Sequence, residues 1–401
     1  MNRPTVYKLV MVYASTKGIN EVAPGRVMLN IQKGSRFEIE IVCNGLRPVP
    51  ESDRMINGLV PGALTRLITA TLSLFPYRIK RDWFMTSNRD TIMYYVDVMR
   101  YMKELKPRMA IVHVSYAVCW LIKWISPGTE IVYYHHGGNM HKRLTDKQWN
   151  RLIWACPKLI ISVTQFAIDG CREKYKNLPQ RMVNIHNGIE RNAIYLDNVN
   201  KLNLWGKNDV FVYCYAGHLT YSKGVDIIIK SFYLVAAKHE QVRLLLIGEP
   251  DIEMDSKVND LINLVNSSGE DLRSRILITG NLPNEKAIAY VSSSDVAVLA
   301  SQVSEGNSIF AIESMHCGIP LITTKITGNP ELSDPDYPSC LFIEVTENQT
   351  EELAKQMELL LENDKLRQEM AKNSLKRAKE HFTLERMVRE FDETLTSAFS
   401  L

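Results

Sequence analysis

Short apolar runs alternate along this chain with longer stretches whose apolar positions return at helical spacing. In the first half, residues 7–13, 110–115, 130–138, 159–163 and 183–190 contain runs of the kind found in strands buried on both faces. In the second half, residues 210–215, 244–249, 278–283, 295–300 and 321–324 do the same. Strands of this type separated by helix-length segments predict parallel sheets with helical crossovers, hence an α/β fold. Near the end, Leu384, Met387, Val388, Phe391 and Leu395 recur every three to four residues, so the chain closes on an amphipathic helix.

The richest stretch runs from residue 295 to residue 331. After the strand at 295–300, residues 302–306 form a polar loop, and Asn307 or Ser308 can cap a helix that runs to about Cys317. Gly318 then supplies a left-handed stop, and Pro320 opens the strand at 321–324. A helix start beside a strand end is a site for an anion. Within the helix, Glu313 shares a stripe with Ile309, Phe310 and Cys317, where a carboxylate needs a hydrogen-bonding partner. Glu305 stands eight residues earlier, about 12 Å away along a continuous helix. The two can serve one extended ligand only if Glu305 sits in a loop folded back over the helix start.

Glu305, seven residues, Glu313, then Gly318-Ile319-Pro320 and Gly328-Asn329-Pro330-Glu331 together resemble the signature of the retaining glycosyltransferases of family 4. The resemblance implies that Glu305 contacts the transferred sugar and Glu313 the ribose hydroxyls. It also implies that backbone amides near Gly306, Asn307, Ser308 and Ile309 meet the sugar or phosphate. A second stretch, residues 215–226, resembles the family's Gly-Arg-Leu, three residues, Lys-Gly element, with Gly217 and Lys223 at matching positions. The family's arginine is replaced by His218. A guanidinium is permanently charged and forks onto phosphate, whereas imidazole is mostly neutral near pH 7 unless a bound anion raises its pKa. His218 is therefore either a pH-dependent diphosphate ligand or a spacer, and the first reading implies lower activity at alkaline pH.

The first half matches the family less closely. Gly18 opens a glycine-containing loop where the family has one near the acceptor, without a dinucleotide fingerprint. The strand at 130–138 ends in His135-His136 before Gly137-Gly138. His136 with Gly137 fits the family's active-site His-Gly, and a histidine at a strand's carboxyl end faces the crevice where open α/β sheets bind ligands. His135 is the other candidate, and His113 and His141 read as structural. Asn187-Gly188 reads as a hinge-side turn.

The implied architecture is GT-B, two Rossmann-like doubly wound domains facing each other across a cleft. The length of 401 residues fits two domains of about 200 each. The expected division is an acceptor-binding domain at 1–200, joined by the helix at 384–401, and a nucleotide-sugar-binding domain at 201–383, with residues 197–209 as linker. The implied reaction is retaining transfer of a hexosyl unit from a nucleotide-sugar, UDP on family prevalence, to a glycan or lipid-linked acceptor in bacterial surface polysaccharide synthesis. No cofactor or metal is expected, since no Asp-x-Asp motif stands at the diphosphate and Lys223, His218 and helix amides can offset its charge. A UDP-sugar 2-epimerase-like enzyme and a non-catalytic glycosyltransferase-like partner subunit are the alternatives.

Composition narrows the setting. A net charge of +3 gives no nucleic-acid footprint, and seven scattered cysteines without paired-ligand spacing favour reduced thiols over disulfides or zinc. No leader-like segment or membrane-spanning run is apparent, so a cytoplasmic location is expected. Residues 64–84 mix Leu67, Ile68, Leu72, Leu74, Phe75, Ile79, Trp83 and Phe84 with Arg66, Arg78, Lys80 and Arg81, interrupted by Pro76. This is either a segment that lies on the inner leaflet as a peripheral contact or an acceptor-site helix packed on its own core.

Overall fold

The computed structural model describes residues 9–13, 23–44, 56–86, 88–190, 202–206, 209–250 and 258–401. The chain divides into two units, residues 1–186 with 384–401, and residues 187–383. Each unit is built on one parallel sheet.

The sheet of the first unit comprises β1 (Leu9–Tyr13), β2 (Ile39–Asn44), β3 (Ile56–Leu59), β4 (Met109–His113), β5 (Glu130–His135), β6 (Leu159–Ser162) and β7 (Arg181–Asn184). The order is β3-β2-β1-β4-β5-β6-β7, all parallel. The order reverses between β1 and β4, the switch point of a doubly wound sheet. Val10, Val12, Ala110, Val112, Ile131 and Ile160 are fully enclosed by covering helices, which is why these strands read as continuous apolar runs. Each such valine or isoleucine side chain contributes roughly 1.5–3 kcal/mol of burial.

The terminal helix Leu384–Phe399 belongs to this unit. Asp392 accepts from the Ser35 hydroxyl at 2.6 Å and from the Arg36 amide at 2.9 Å. The Phe391 ring lies nearly parallel to Tyr134 of β5, with centroids 6.4 Å apart.

The second unit carries β8 (Phe211–Ala216), β9 (Val242–Ile247), β10 (Ile276–Ile278), β11 (Val296–Leu299), β12 (Leu321–Thr324) and β13 (Cys340–Ile343). Their order is β10-β9-β8-β11-β12-β13, again parallel, with the switch point between β8 and β11. The α/β, doubly wound expectation holds in both units. Strands β2, β3 and β13 were absent from the apolar-run reading. In β3, Asn57 and Gly58 interrupt any apolar run.

The first division falls between His186 and Asn187, not near residue 200. Ile189 already belongs to the second unit, where it bridges to Thr383 and its amide donates to the Phe382 carbonyl at 3.1 Å. The second division falls between Thr383 and Leu384. Of the expected linker at 197–209, only 202–206 and 209 are described residues.

Candidate active site

The second unit gathers most of the expected donor residues at its switch point. Gly217 and His218 follow β8, and Lys223 ends the short 3-10 turn Tyr221–Lys223. Gly224 comes next with φ +68°, and a Cβ there would lie 1.9 Å from the Ala300 carbonyl oxygen, so only glycine lets this turn approach the end of β11. That approach brings Lys223 Nζ to 2.6 Å from Glu305 Oε1. Glu305 is 7% exposed and also accepts from the Ser301 hydroxyl. A carboxylate so enclosed needs both partners.

The loop bearing Glu305 is tied from below. The Glu305 amide donates to Thr327 Oγ1 at 2.9 Å, and the Thr327 hydroxyl donates to the Glu305 carbonyl at 2.7 Å. Asn329 in turn donates to Thr323 Oγ1 and the Thr324 carbonyl, both at 2.9 Å. Asn329 is fully buried and anchors the Gly328-Asn329-Pro330-Glu331 motif to β12, while the Gly328 amide donates to the Glu305 carbonyl at 3.4 Å.

Ser308 is the cap, its side chain accepting from the Ala311 amide, and Ile309 opens the helix Ile309–His316. Cys317 ends the helix, and Gly318 follows with φ +67°. The first-turn amides of this helix thus start four residues beyond Glu305. Glu305 sits in the loop and not on the helix, as joint service with Glu313 requires. Gly306 is half-buried and Asn307 buried. Glu313 is half-buried on the helix; burial chiefly, then Cys214 and Glu313, pushes the Cys317 thiol up.

His218 is half-buried, and its carbonyl accepts from the Tyr215 hydroxyl at 3.0 Å. The loop is held close to the neighbouring strand. A Cβ on Gly248 would lie 2.0 Å from the Gly217 carbonyl oxygen, and the Gly217 amide donates to Ile247 at 2.9 Å.

Asn187 is the residue that sequence reasoning missed. Its side-chain amide donates to the Asn307 carbonyl at 2.7 Å, pinning the loop between Glu305 and the helix cap. The Asn-Gly turn is thus a support of the loop that bears Glu305, a role that only the contact reveals.

In the first unit, His136 follows the last residue of β5 and is half-buried, while His135 is enclosed. His135 Nδ1 faces the Tyr116 hydroxyl at 3.2 Å, the position of a structural histidine. His136 Nε2 lies 2.7 Å from Nδ1 of His113, the end residue of β4. Burial holds both His135 and His136 down to about 3 and lowers His113 well below the usual histidine value, so all three are neutral at pH 7. Val114, next to His113, has φ +75°, unusual for a β-branched residue. Backbone strain of this kind costs on the order of 1–3 kcal/mol and is concentrated at functional sites. Gly18 lies outside the described residues.

The helices Ala63–Ser73 and Tyr77–Phe84 divide the 64–84 stretch at Pro76. The first helix turns Thr65, Ile68, Thr69 and Leu72 inward, the threonines buried and the two apolar residues half-buried, while Leu64 and Leu67 are 52% and 66% exposed. Its inner face is mixed, with the Thr65 hydroxyl bonded to the Asp97 carboxylate and Arg100 donating to Thr65 at 2.8 Å. Leu74, Phe75, Tyr77 and Trp83 follow as further exposed side chains. Arg151 lies over the Trp83 ring at 4.1 Å. The side chains of Arg78, Ile79 and Arg81 lie outside the described residues. No described helix is long and apolar enough to cross a membrane.

Two parallel, doubly wound sheets in succession, the second with a Lys-Glu pair and a capped helix at its switch point, define a GT-B-like protein. Solved structures agree on the fold. HepE of Anabaena, whose structure holds UDP and glucose, matches with a TM-score of 0.73 at 17% identity, covering 98% of this chain and 100% of that one. Sucrose-phosphate synthase of Thermosynechococcus elongatus gives 0.75 at 16% identity, covering 98% and 99%.

Residues 200–377 match the family Glycosyl transferases group 1, so the second domain carries the sequence pattern of that group. An uncharacterized glycosyltransferase of Methanocaldococcus jannaschii is 27% identical over 248 residues, 61% of this chain and 60% of that protein. The capsular polysaccharide biosynthesis glycosyltransferase CapM of Staphylococcus aureus is 27% identical over 199 residues, 49% of each. The match thus spans between about half and three fifths of these two relatives' lengths.

Proposed function

We propose that this chain is a retaining glycosyltransferase of family 4 that moves a hexosyl unit from a UDP-sugar to a glycan or lipid-linked acceptor, in the synthesis of a surface polysaccharide. The observation that carries this reading is the Lys223–Glu305 pair at 2.6 Å beside the capped helix Ile309–His316. A diphosphate competes for Lys223 and receives helix amides, which leaves Glu305 to accept from a hydroxyl of the sugar. Glu313 holds the ribose, and His218 adds charge to the diphosphate site when protonated. On this reading the protein's main contribution is to stabilise the departing diphosphate without a metal, and the leaving phosphate oxygen itself takes the acceptor proton. His136 serves the transferred sugar, and Gly18 belongs to the acceptor side.

The test is release of UDP from UDP-hexoses by the purified chain, with and without acceptor, followed by the anomeric configuration of the product. Release with a retained configuration supports the reading. Binding of UDP without release, across the sugar panel, favours a non-catalytic partner, and a change of the sugar at C2 favours an epimerase.

The exposed leucines of helix Ala63–Ser73 support peripheral contact with the inner leaflet. A helix that buries threonines and exposes Leu64 and Leu67, followed by Leu74, Phe75 and Trp83, gains by laying that face in the headgroup boundary. Vesicles of phosphatidylglycerol should co-sediment the chain, and Leu67→Glu with Leu74→Glu should reduce the pelleted fraction about tenfold or more. Equal pelleting of both would remove the membrane from the account.

A further inference from the structure

His113 and His136 are both neutral, so each ring carries one proton, and the 2.7 Å contact between His113 Nδ1 and His136 Nε2 needs one of them to donate. Two arrangements satisfy it. If His136 donates from Nε2, the His113 proton must sit on its own Nε2, a buried atom with no partner among the described residues. If His113 donates from Nδ1, its Nε2 is a bare acceptor at the same enclosed position. Buried N–H groups without an acceptor are rarer than under-satisfied acceptors, which favours the second arrangement.

The ring of His113 is not free to turn away. It lies against Tyr134 and His136, each with centroids 5.0 Å apart. Its carbonyl accepts from the Ser115 amide at 3.0 Å, closing a tight turn over Val114. That turn is held by the Tyr133 hydroxyl on the Val114 carbonyl at 3.3 Å and by the Tyr95 hydroxyl on Ser115 Oγ at 2.8 Å.

We infer that His113 is a positioning residue: by donating from Nδ1 to Nε2 of His136, it fixes His136 as the tautomer that carries its proton on Nδ1 and offers that N–H to the substrate. The inference rests on the reading that His136 meets the transferred sugar. It names the form of His136 that does so, a hydrogen-bond donor to a sugar hydroxyl or ring oxygen rather than a base.

The test begins with the full chain labelled with ¹⁵N-histidine. Long-range proton–nitrogen spectra report which ring nitrogen of His136 is protonated, with the signal assigned by its loss in His136→Gln. The expected wild-type pattern is a protonated Nδ1 and a bare Nε2. In His113→Phe, His136 should move to the Nε2–H form that imidazole adopts without a directing partner. In His113→Asn, whose carboxamide N–H can stand at the place of Nδ1–H, the wild-type form should persist. A wild-type His136 protonated on Nε2, or a tautomer unchanged in His113→Phe, overturns the inference. Should His113→Phe fail to fold, the wild-type and His113→Asn spectra still decide it.

Turnover supplies the second readout. With the UDP-sugar that the wild type uses, His113→Phe should lower kcat about tenfold, the loss of one substrate hydrogen bond, with UDP affinity unchanged and His113→Asn restoring the rate. A switched tautomer with unchanged kcat would overturn the positioning role. A wild type that shows the expected tautomer yet neither binds UDP nor releases it from any sugar would instead overturn the transferase reading.

Discussion

The two units share a sheet topology but build their sites differently. In the second unit, the residues after β8 and β11 carry charge, a lysine and a glutamate joined at 2.6 Å, and glycines that let their turns approach closely. In the first unit, the strand ends after β4 and β5 carry neutral rings stacked on one another. On the proposed reading the second unit's site takes a charged diphosphate, which needs counter-charge, and the residue types that would supply it stand in short motifs. A site for uncharged hydroxyls can be made from neutral hydrogen-bonding groups, here rings on adjacent strands. In both units the decisive contact joins residues distant in sequence, 82 apart for Lys223–Glu305 and 23 apart for His113–His136, but only in the second unit does each partner lie in a recognisable local motif.

The largest expected effect that sharpens this contrast is Glu305→Gln. The amide keeps a partner for Ser301 but loses the charge that pairs with Lys223, and turnover should fall about 10²–10³-fold while UDP binding changes less. A variant with wild-type kcat would remove Glu305 from the reaction.

Acid should separate the units next. The histidines at the strand ends of the first unit have folded pKa values far below the unfolded value near 6.5, so the unfolded chain binds more protons between these limits. Stability is then lost as pH falls from about 6.5 toward 3, amounting to about 2 kcal/mol at pH 5 for each of His135 and His136. Amide exchange in the full chain, corrected for intrinsic rates, should lose protection in β4 and β5 before β11 and β12. Uniform loss across both sheets would contradict the contrast.

Lys223→Ala should weaken UDP binding about ten- to hundredfold, the loss of one charge-assisted contact, with the Ser301 hydroxyl still on Glu305. Unchanged affinity would make Lys223 a partner of Glu305 only. His218→Arg is the subtlest change: it should leave or raise activity and flatten its decline above neutral pH. A profile that keeps its shape would reduce His218 to a spacer.

The sequence carried most of the second sheet, a cap at Asn307 or Ser308, the stop at Gly318 and the loop position of Glu305. Each follows from local rules of period, capping and glycine conformation. It did not reveal that Asn187 pins the Asn307 carbonyl, because a hydrogen bond between residues so distant in sequence has no local signature. Nor did it separate His136 from His135 by more than the fit of His136-Gly137 to the family's His-Gly, or show that His113, read as structural, contacts His136 directly. Those relations depend on strands β4 and β5 being neighbours. The helix Ala63–Ser73 was ambiguous for a related reason, since periodicity did not tell that Leu64 and Leu67 stay exposed while Ile68 and Leu72 turn inward.

The central claim is that the second unit holds a nucleotide diphosphate with Glu313 on its ribose. Calorimetric titration of the full chain with UDP and, separately, GDP tests it most directly, repeated with Glu313→Ala. The account predicts saturable UDP binding, tighter than GDP, that weakens about tenfold in the variant. Binding of neither nucleotide by a folded sample, or UDP affinity indifferent to Glu313, would contradict it.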